Sequence, residues 1–393
     1  MVGLKVLHVI AGMNPISGGV CQAVKSIIKA LAPIGFVNEI VSLDNRDASY
    51  LKENNLCIHA MGEGRGPWKY NRNLQGWLRV NLYRFDIVIV HGLWLYSGFA
   101  ARREIDFLKR KKLQAPKFLV MPHGMLDPYF QKAEGRKIKA LRNFIFWKLI
   151  ENKMISRADG LLFTCERERS LAAGSFFPYS PKVSSVVGLV VEAPPLYTPQ
   201  MQQAFGLASG IINKKPYLLF LGRIEKKKGL DILLKAYIQL CNKNSALPAL
   251  VIAGPGLSTL YGQKIKQLAN NQPAIHFTGM LTGDAKWGAY YGCEAFVLAS
   301  HQENFGITIV EAMACKKTVL ISNQVNIYKE IEQAGAGLIC SDNFNGVETM
   351  LANWSMFSSK KKQEKAEAAG RCFNEIFGMD TFSQRFLHLV QTL

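Results

Sequence analysis

Short apolar runs, each followed by turn residues and then by a helical pattern, recur along the whole chain. LKVLHVI ends before Ala11, FDIVIV before His91 and KFLVMP before His123. Strands that alternate with amphipathic helices are typical of β-α units, in which helices cover a parallel sheet. The sequence therefore predicts an α/β protein built on parallel sheets.

The series of strand-helix units resets near the middle of the chain. A second series begins with YLLFL from Tyr217 and continues with ALVIAG from Ala249 and AFVLAS from Ala295. Between the two series, the proline-containing segment VEAPPLYTPQ has no strong periodicity, which is typical of a connection. We predict four segments: a first domain over 1–190, a linker over 191–215, a second domain over 216–375, and a C-terminal helix over 376–393 that packs back toward the first domain.

The composition is that of a globular protein with a sizeable core, since 49% of the 393 residues are hydrophobic and 20% are charged. The eight cysteines stand singly, without a C-x-x-C pair or zinc-site spacing, which indicates free thiols in a reducing compartment. The apolar opening Val2–Ala11 lacks a basic leader and a cleavage site, so it is interpreted as a first strand. No stretch of about 18 uninterrupted apolar residues occurs. We expect a cytoplasmic protein without a membrane span.

Positive charge is concentrated in the first half of the chain. The formal net charge is +19, and residues 1–190 hold 28 basic and 14 acidic side chains. Such a field attracts anionic partners, which include nucleic acid, acidic lipid and phosphorylated substrates. The charge by itself does not choose among them.

The loop HQENFGI, residues 301–307, stands between an apolar run and the helical pattern TIVEAMAC. A helix that begins near Gly306 would present free backbone N–H groups and its positive end to a ligand. Glu303 in the loop and Glu311 on the helix are separated by roughly 12 Å along the chain. This separation suits two hydroxyl-bearing parts of one elongated ligand and is too long for an acid-base pair. The alternative is that Glu303 caps the helix and Glu311 lies on its solvent face.

A second loop, GRIEKKKG from Gly222 to Gly229, follows YLLFL and precedes another helical pattern. Fixed cations beside a helix N-terminus are suited to hold a diphosphate and to neutralise charge that develops on it. Arg223 and Lys228 are the candidates for that role. We expect Lys226 and Lys227 to be solvated.

Three loops of the first domain carry further candidates. In NPISGGV, residues 14–20, glycines would let backbone N–H groups approach an anion, but the loop is not a G-x-G-x-x-G dinucleotide motif. HGLW and PHGMLD contribute His91 and His123, without a third ligand at metal-site spacing. For His91, structural hydrogen bonding and contact with an acceptor are equal alternatives, whereas His123 is favoured as a site residue.

Taken in order, these loops resemble those of retaining glycosyltransferases of the GT-B fold, in glycosyltransferase family 4. The resemblance runs almost end to end, from HVIAGMNPISGGV through PHGMLDP, FLGRIEKKKGL, AGPG and ENFGITIVEAMAC to QVNIYKEIEQAGAGLI. Glu303 and Glu311 match the family's E-x7-E pair, and Arg223 and Lys228 match its basic pair. The resemblance implies an α/β protein of two Rossmann-like doubly wound domains that face a central cleft.

The resemblance also implies roles for individual residues. Residues that would bind the nucleotide-sugar donor are Gly19, Arg223, Lys228, Glu303, Asn304, Phe305, Gly306, Ile307 and Glu311. Those that would act on the transferred sugar or the departing diphosphate are His123, Arg223, Lys228 and Glu303. Candidates for contact with the acceptor are Gly18, His91, Trp94 and Asp127. No cofactor and no metal is implied.

The implied activity is transfer of a hexose from a UDP- or GDP-sugar to a saccharide or lipid-linked saccharide acceptor, in cell-surface polysaccharide or glycolipid synthesis. One alternative is a catalytically inactive nucleotide-sugar or membrane-surface binding protein of the same fold. A nucleic-acid-binding protein is supported only by the charge, and we expect no nucleic-acid partner.

The segment from Lys132 to Arg157 combines many cations with Phe144, Phe146 and Trp147 on a predicted helix. A basic helix with aromatic residues can lie on an anionic bilayer. The alternative is that its aliphatic side chains face the domain core, and these are Ile138, Leu141, Ile145, Leu149 and Ile150. We favour peripheral contact with the inner face of the cytoplasmic membrane.

Overall fold

The computed structural model of the chain describes residues 3–15, 19–52, 56–132, 137–210, 216–243, 247–270 and 272–393. The chain forms two compact units. The first comprises residues 1–190 together with 379–393, and the second comprises residues 191–378. Each unit contains one parallel sheet covered by helices, so the predicted α/β class is confirmed.

The described part of the first unit contains a seven-stranded parallel sheet. Its strands are β1 (Lys5–Val9), β2 (Val37–Ser42), β3 (Cys57–Ala60), β4 (Ile87–His91), β5 (Lys117–Met121), β6 (Gly160–Phe163) and β7 (Ser184–Val186). Their spatial order is β3-β2-β1-β4-β5-β6-β7. The order therefore reverses beside β1, and in doubly wound sheets ligands bind at the carboxyl ends of the strands that flank such a reversal.

Helices connect these strands. They are α1 (Gly19–Leu31), α2 (Arg72–Asn81), α3 (Tyr96–Arg110), α4 (Tyr129–Lys132), α5 (Lys137–Phe146), α6 (Asn152–Arg157) and α7 (Glu166–Ala173). A π-helical turn, Trp147–Glu151, joins α5 to α6. In the described residues, no helix is both long enough and apolar enough to cross a bilayer.

The second unit repeats the plan with a six-stranded parallel sheet in its described part. Its strands are β8 (Tyr217–Leu221), β9 (Ala249–Ala253), β10 (Ile275–Gly279), β11 (Ala295–Leu298), β12 (Thr318–Ser322) and β13 (Gly337–Cys340). Their order is β10-β9-β8-β11-β12-β13, so the reversal lies between β8 and β11.

The helices of the second unit lie in the same alternating pattern. They are α8 (Pro199–Ser209), α9 (Leu230–Asn242), α10 (Leu260–Leu268), α11 (Gly283–Gly292), α12 (Ile307–Ala314), α13 (Tyr328–Gln333), α14 (Phe344–Met356) and α15 (Ser359–Cys372). The last helix of the chain, α16 (Met379–Thr392), belongs to the first unit. There the Ser383 hydroxyl donates to the backbone carbonyl of Ala30 at 2.8 Å, and the Phe386 ring packs on Phe36.

The segment 191–215, which the sequence suggests as a linker, differs from that expectation. It contains α8, which begins at Pro199 as its first residue, and the side chains of Met201 and Phe205 are buried. Gly288 of α11 lies so close to this helix that a β-carbon there would stand 2.0 Å from the Met201 carbonyl oxygen. Because a helix with a buried face packs against its neighbours, the segment is part of the second unit.

Gly229 fixes the approach of two loops in the second unit. Its φ is 63°, in the left-handed region, and a β-carbon there would stand 1.9 Å from the carbonyl oxygen of Ala299, which follows β11. Only glycine meets both conditions without displacement of backbone. The loop after β8 is therefore held against the loop after β11.

Replacement of Gly229 by alanine is expected to destabilise the second unit by about 2–4 kcal/mol, through left-handed backbone strain and a backbone clash. The matched control is Gly210→Ala, since Gly210 has a φ of 72° but nothing within 4 Å of its β-carbon position. The control should lose only about 1–2 kcal/mol. Thermal and urea unfolding of both variants would measure this, and equal losses would contradict the proposed close approach.

Candidate active site

The loops after β8 and β11 meet at the reversal of the second sheet. The backbone N–H of His301, after β11, donates to the carbonyl of Lys227, after β8, at 2.8 Å. β11 also pairs directly with β8. Two loops whose bonded residues are 74 positions apart in sequence are thus held side by side. They lie at the carboxyl ends of adjacent strands, where this topology binds ligands.

Lys228 and Glu303 form an ion pair across these two loops. Their side chains are only 13% and 14% exposed. Burial opposes ionisation of Glu303, but the nearby ammonium groups of Lys228 and Lys227 outweigh it and lower the pKa of Glu303. The carboxylate is therefore ionised at neutral pH, and its charge is balanced by the cation that the sequence predicts for diphosphate binding.

The backbone of Glu303 is anchored by the segment after β12. Its N–H donates to the carbonyl of Gln324 at 3.0 Å, and its carbonyl accepts from the N–H of Asn326 at 2.9 Å. Gly306, with a φ of 77°, is the N-cap of α12, and no side chain caps this helix. The alternative in which Glu303 caps the helix is wrong, and its carboxylate is available for another partner.

The start of α12 presents backbone donors beside Glu303. The first N–H groups of a helix have no partner within it, and no hydrogen bond from the amides of Phe305, Gly306 and Ile307 is found in the described residues. A β-carbon on Gly306 would stand 3.2 Å from the Glu303 Cγ. These amides and the positive end of the helix suit an anionic or oxygen-rich ligand.

Glu311 lies on α12 and is held at both oxygens. Lys286 Nζ donates to Oε1 at 2.6 Å, and the Tyr290 hydroxyl donates to Oε2 at 2.8 Å. The Glu311 side chain is 12% exposed, so the alternative that placed it on a solvent face is wrong. Sequence reasoning did not identify Lys286 and Tyr290; the signal is their i, i+4 spacing, which puts both on one face of α11.

The cations of the loop after β8 differ in burial. The Arg223 side chain is 70% exposed and lies 3.3 Å from Glu225, and Lys226 is exposed. Lys227 departs from the expected solvation, because it is half-buried and burial lowers the pKa of its ammonium. Lys227 therefore adds a second cation to the surroundings of Glu303.

In the first unit, a cavity of about 360 Å³ opens at the carboxyl ends of β1, β2 and β4. Its lining includes Ile10, Asn14, Asp44, Tyr50, Lys69 and His91. Asp44 accepts the Met13 N–H at 2.8 Å and the Tyr50 hydroxyl at 2.9 Å. Sequence reasoning did not select Asp44, although it follows a strand on the same edge as His91.

His91 and His123, expected on neighbouring loops, are in direct contact. His91 Nδ1 lies 3.0 Å from His123 Nε2, and its other nitrogen, Nε2, lies 3.0 Å from Nδ1 of His8 in β1. His91 is only 3% exposed. Both of its ring nitrogens are thus used in structural hydrogen bonds, although its ring still borders the cavity.

The backbone that carries His123 is held in a left-handed conformation, with a φ of 53°. The next N–H, that of Gly124, donates to Glu168 Oε1 at 2.5 Å. Glu168 also accepts the N–H of Thr164 at 2.7 Å, so the carboxylate ties the loop to the end of β6. Left-handed backbone at a non-glycine residue persists where surrounding contacts hold it, often at a functional site.

The other candidates of the first unit occupy different positions. Gly19 is exposed at the start of α1, and Gly18 lies outside the described residues. Asp127 is buried and accepts the Tyr129 N–H at 2.8 Å, as a residue at a helix start does. The Trp94 ring packs on Trp147 and Phe176. Acceptor contact by Trp94 and Asp127 stays a prediction, beside the structural roles seen for both.

Trp94 also has left-handed backbone, with a φ of 70°. Its N–H donates to Glu151 Oε1 at 2.9 Å. Glu151 lies in the π-helical turn and is 1% exposed, and burial raises the pKa of its carboxyl to about 8. A neutral carboxylic acid therefore holds the loop that follows His91.

Among the described residues, one group of three potential metal ligands occurs: Glu39, Cys57 and His59, on β2 and β3. Glu39 already contacts His59 Nε2 at 2.7 Å and Arg84 at 3.0 Å. A cation on Glu39 weakens its attraction for a metal ion. This group lies on strands and not on the loops that carry the site.

Each unit of the chain matches a model of a known protein family. The family model described as Glycosyl transferases group 1 matches residues 206–371, and the model described as Glycosyl transferase 4-like domain matches residues 18–183. An uncharacterized glycosyltransferase of Methanocaldococcus jannaschii is 27% identical over 155 residues, which cover 38% of this chain and 39% of that protein. A D-inositol 3-phosphate glycosyltransferase of Rhodococcus opacus is 26% identical over 149 residues, 36% of this chain and 33% of that protein.

Solved structures match the chain over nearly its full length. HepE of Anabaena, determined in complex with UDP and glucose, has a TM-score of 0.75 at 15% identity. The match covers 99% of this chain and 100% of the HepE chain. A glycosyltransferase from Rickettsia africae has a TM-score of 0.76 at 18% identity and covers 100% and 98%. These likenesses confirm the GT-B type of α/β fold.

Glu151→Gln is expected to stabilise the protein increasingly as pH rises. In the native state the Glu151 pKa, about 8, lies above its unfolded value of 4.5. Between these values the unfolded state is ionised and the native state is not, so wild-type stability falls with rising pH. The free energy of unfolding of the variant, relative to wild type, should rise by roughly 1.4 kcal/mol per pH unit between about pH 5 and 8.

Urea unfolding at several pH values would measure this difference. The control is Glu166→Gln on α7, whose side chain is 61% exposed, and it should show no such slope. A Glu151→Gln difference that stays constant with pH would mean that Glu151 is ionised in the native protein.

Proposed function

This chain belongs to the glycosyl transferases group 1 family, and on that premise we propose that it transfers a hexose from a UDP- or GDP-sugar to a saccharide or lipid-linked saccharide acceptor. The observation that carries the proposal is the partly buried Lys228–Glu303 pair at the reversal of the second sheet. It lies beside amides at the start of α12 for which no partner is found in the described part of the chain. The matched stretches cover about a third of the curated relatives, so activity and substrates are proposed from the site.

The loops of the second unit hold the donor in this proposal. Glu303 accepts hydrogen bonds from sugar hydroxyls, and the amides of Phe305, Gly306 and Ile307, with Asn304, surround the same oxygens. Lys228 and Arg223 bind the diphosphate. Lys227 adds positive charge nearby, and a surplus of cations over carboxylates at this point favours a dianionic ligand.

Glu311 binds the ribose of the donor. A ribose offers two adjacent hydroxyls, and a carboxylate can accept from both. Because Lys286 and Tyr290 already hold the Glu311 oxygens at 2.6 and 2.8 Å, the carboxylate does not need to be ordered when the donor arrives. We assign these two residues a positioning role.

The proposed reaction retains the configuration at the anomeric carbon. The bond from that carbon to the diphosphate oxygen breaks, a bond to the acceptor oxygen forms on the same face, and the acceptor proton passes to the departing phosphate. Arg223 and Lys228 stabilise the charge that develops on the diphosphate, while Gly19 approaches it and His123 contacts the transferred sugar. No protein nucleophile and no metal ion is required.

Release of nucleoside diphosphate from a panel of UDP- and GDP-sugars, in the presence of EDTA, tests this function. We expect turnover of at least one donor, unchanged by EDTA, and a drop of at least a hundredfold in Lys228→Ala or Arg223→Ala, since a contact to developing charge is worth about 3 kcal/mol. Lys226→Ala is the control in the same loop and should keep activity within about threefold, because its side chain is solvated.

Donor binding without any turnover would instead support the inactive binding protein of the same fold. Activity that is lost in EDTA and restored by Mg²⁺ would contradict the metal-independent reaction. Unchanged turnover in both Lys228→Ala and Arg223→Ala would overturn the assignment of the diphosphate site.

We also propose that the first unit contacts an anionic membrane through an exposed helix face, defined by Ile138, Leu141, Phe144, Ile145 and Leu149. Ile138 is 86% exposed, and Leu141 and Leu149 are 63% and 64% exposed. The sequence left open that the aliphatic side chains of this segment, Ile138, Leu141, Ile145, Leu149 and Ile150, face the core. Their exposure argues against that alternative, because aliphatic side chains left in water forgo the free energy of burial.

Charge around this face supports an anionic bilayer as its partner. Lys139, Arg142 and Lys148 are exposed on the same helical segment, and the Lys148 ammonium lies over the rings of Phe144 and Phe177 at 5.6 and 5.8 Å. Phe177 is 80% exposed. Apolar side chains flanked by cations fit the boundary between acyl chains and acidic headgroups.

Sedimentation with liposomes tests the membrane contact. We expect binding to anionic but not to neutral liposomes, weaker at high salt. Leu141→Ser/Leu149→Ser should lose at least about tenfold in binding, because it removes two leucines that leave water when the helix face enters the bilayer. The matched control is Leu207→Ser/Leu260→Ser, which removes two leucines that are each 82% exposed in the second unit. Equal binding by the two double variants would contradict the proposed face.

A further inference from the structure

A continuous chain of side-chain hydrogen bonds crosses the sheet of the first unit. It begins at Asn38 on β2, passes through His8 on β1 and His91 at the end of β4, and ends at His123 after β5. Each step is 3.0 Å, and the imidazole rings stack in sequence with centroids 5.2 and 5.3 Å apart. The hydrogen-bonded chain thus follows the spatial order of the strands, from β2 through β1 and β4 to the loop after β5.

The direction of this chain is fixed at Asn38. Its Nδ2 donates to the backbone carbonyl of Phe36 at 3.1 Å, and a carbonyl can only accept. The amide is therefore oriented with Oδ1 toward Nε2 of His8. Because Oδ1 also can only accept, His8 must carry its proton on Nε2.

Each imidazole in the chain holds a single proton near neutral pH. Burial lowers the pKa of His8 and of His123 to about 4, and it lowers the pKa of His91 well below the usual value. A neutral imidazole that donates through one nitrogen accepts through the other. A second proton on His8 or His91 would set two N–H groups against each other at one of the 3.0 Å contacts. For His123, whose Nδ1 faces no other ring of the chain, it is burial that disfavours a second proton.

The protons can then be placed one after another. His8 donates from Nε2, so its Nδ1 accepts from Nε2 of His91. His91 in turn accepts at Nδ1 from Nε2 of His123. The last ring is left with a bare lone pair on Nδ1, for which no donor is found among the described residues.

We propose that His8 and His91 are positioning residues which, together with Asn38, hold His123 in its Nε2–H tautomer, so that His123 Nδ1 meets the substrate as a hydrogen-bond acceptor. This inference rests on the proposed function, in which His123 contacts the transferred sugar. The chemical group it recognises is a hydroxyl that donates its hydrogen. An ether or a carbonyl at that place would find no donor on Nδ1.

The end group of the chain explains why it orients His123 and does not charge it. A carboxylate behind a histidine both fixes the tautomer and stabilises an imidazolium. The Asn38 amide fixes the tautomer but carries no charge, and it cannot take up a proton. With the Glu168 carboxylate holding the backbone at Gly124, both the position and the proton of the His123 ring are determined by residues that lie behind it.

The test uses Asn38, which is only partly buried, because replacement of the buried His8 could prevent folding. Asn38→Leu removes the acceptor, and Asn38→Asp keeps an oxygen that accepts from His8. With ¹⁵N-labelled histidine, the chain gives seven histidines to resolve, and His123→Gln identifies the His123 signals. The ring-nitrogen shifts report which nitrogen carries the proton.

We expect wild type and Asn38→Asp to show a protonated Nε2 and an unprotonated Nδ1 on His123, and Asn38→Leu to show a mixture of tautomers. Nucleoside diphosphate release by Asn38→Leu should fall about tenfold or more, as when other histidine-orienting groups are removed, and Asn38→Asp should recover most of it. The control is His388→Gln on α16, which replaces an exposed histidine of the same unit. It should change neither the His123 tautomer nor the release of nucleoside diphosphate.

A His123 that is protonated at Nδ1 in the wild type, or that keeps its tautomer in Asn38→Leu, would overturn the inference. So would a changed tautomer with unchanged turnover, because the tautomer would then have no consequence for the reaction. If no sugar donor is turned over at all, the proposed function fails. The ¹⁵N spectra of wild type and Asn38→Leu still decide whether Asn38 determines which nitrogen of His123 carries the proton.

Discussion

The reversal of strand order is the constraint on which the candidate residues of each unit depend. In each sheet the chain builds three strands outward and then resumes on the other side of the first, so β1 lies beside β4 and β8 lies beside β11. The loops that leave two such strands diverge to opposite faces of the sheet, and a crevice remains at their carboxyl ends. Residues far apart in sequence meet there because the strands that precede them are neighbours in the sheet.

In the second unit this crevice contains an ion pair, and either charge would be destabilising there without the other. An ionised Glu303 with so little exposure would be costly without Lys228, and the reverse also holds, because removal of water from a lone ion costs several kcal/mol. Together with Lys227 and the amides at the start of α12, the pair leaves a local excess of positive charge. The pair thus neutralises both of its partly buried charges and leaves the excess of positive charge that the proposed donor site requires.

In the first unit, by contrast, the hydrogen-bonded chain that begins at Asn38 consists of neutral groups. Of the three histidines in the hydrogen-bonded chain, His8 and His91 are buried and His123 is half-buried. They share one proton per contact, so every ring nitrogen inside the chain is satisfied without a net charge. A buried polar network is favourable only when each member has its partner. The cost of the left-handed backbone at His123 and Trp94 is offset by Glu168 and Glu151, which bind the neighbouring N–H groups.

The sequence by itself determined the α/β class, the loops that carry Arg223, Lys228 and Glu303, and the helix that carries Glu311. These follow from local signals, since apolar periodicity and turn residues depend on near neighbours in the chain.

The partners of these residues were decided only by the tertiary structure: Lys286 and Tyr290 for Glu311, Lys227 for Glu303, and His8 with Asn38 for the histidine chain. The same holds for the exposure of the helix face at Leu141 and Leu149, which the sequence left open between core and surface. The physical reason is that burial and hydrogen-bond direction are properties of strand order and of the groups that packing places opposite each side chain, and neither is encoded within a single segment.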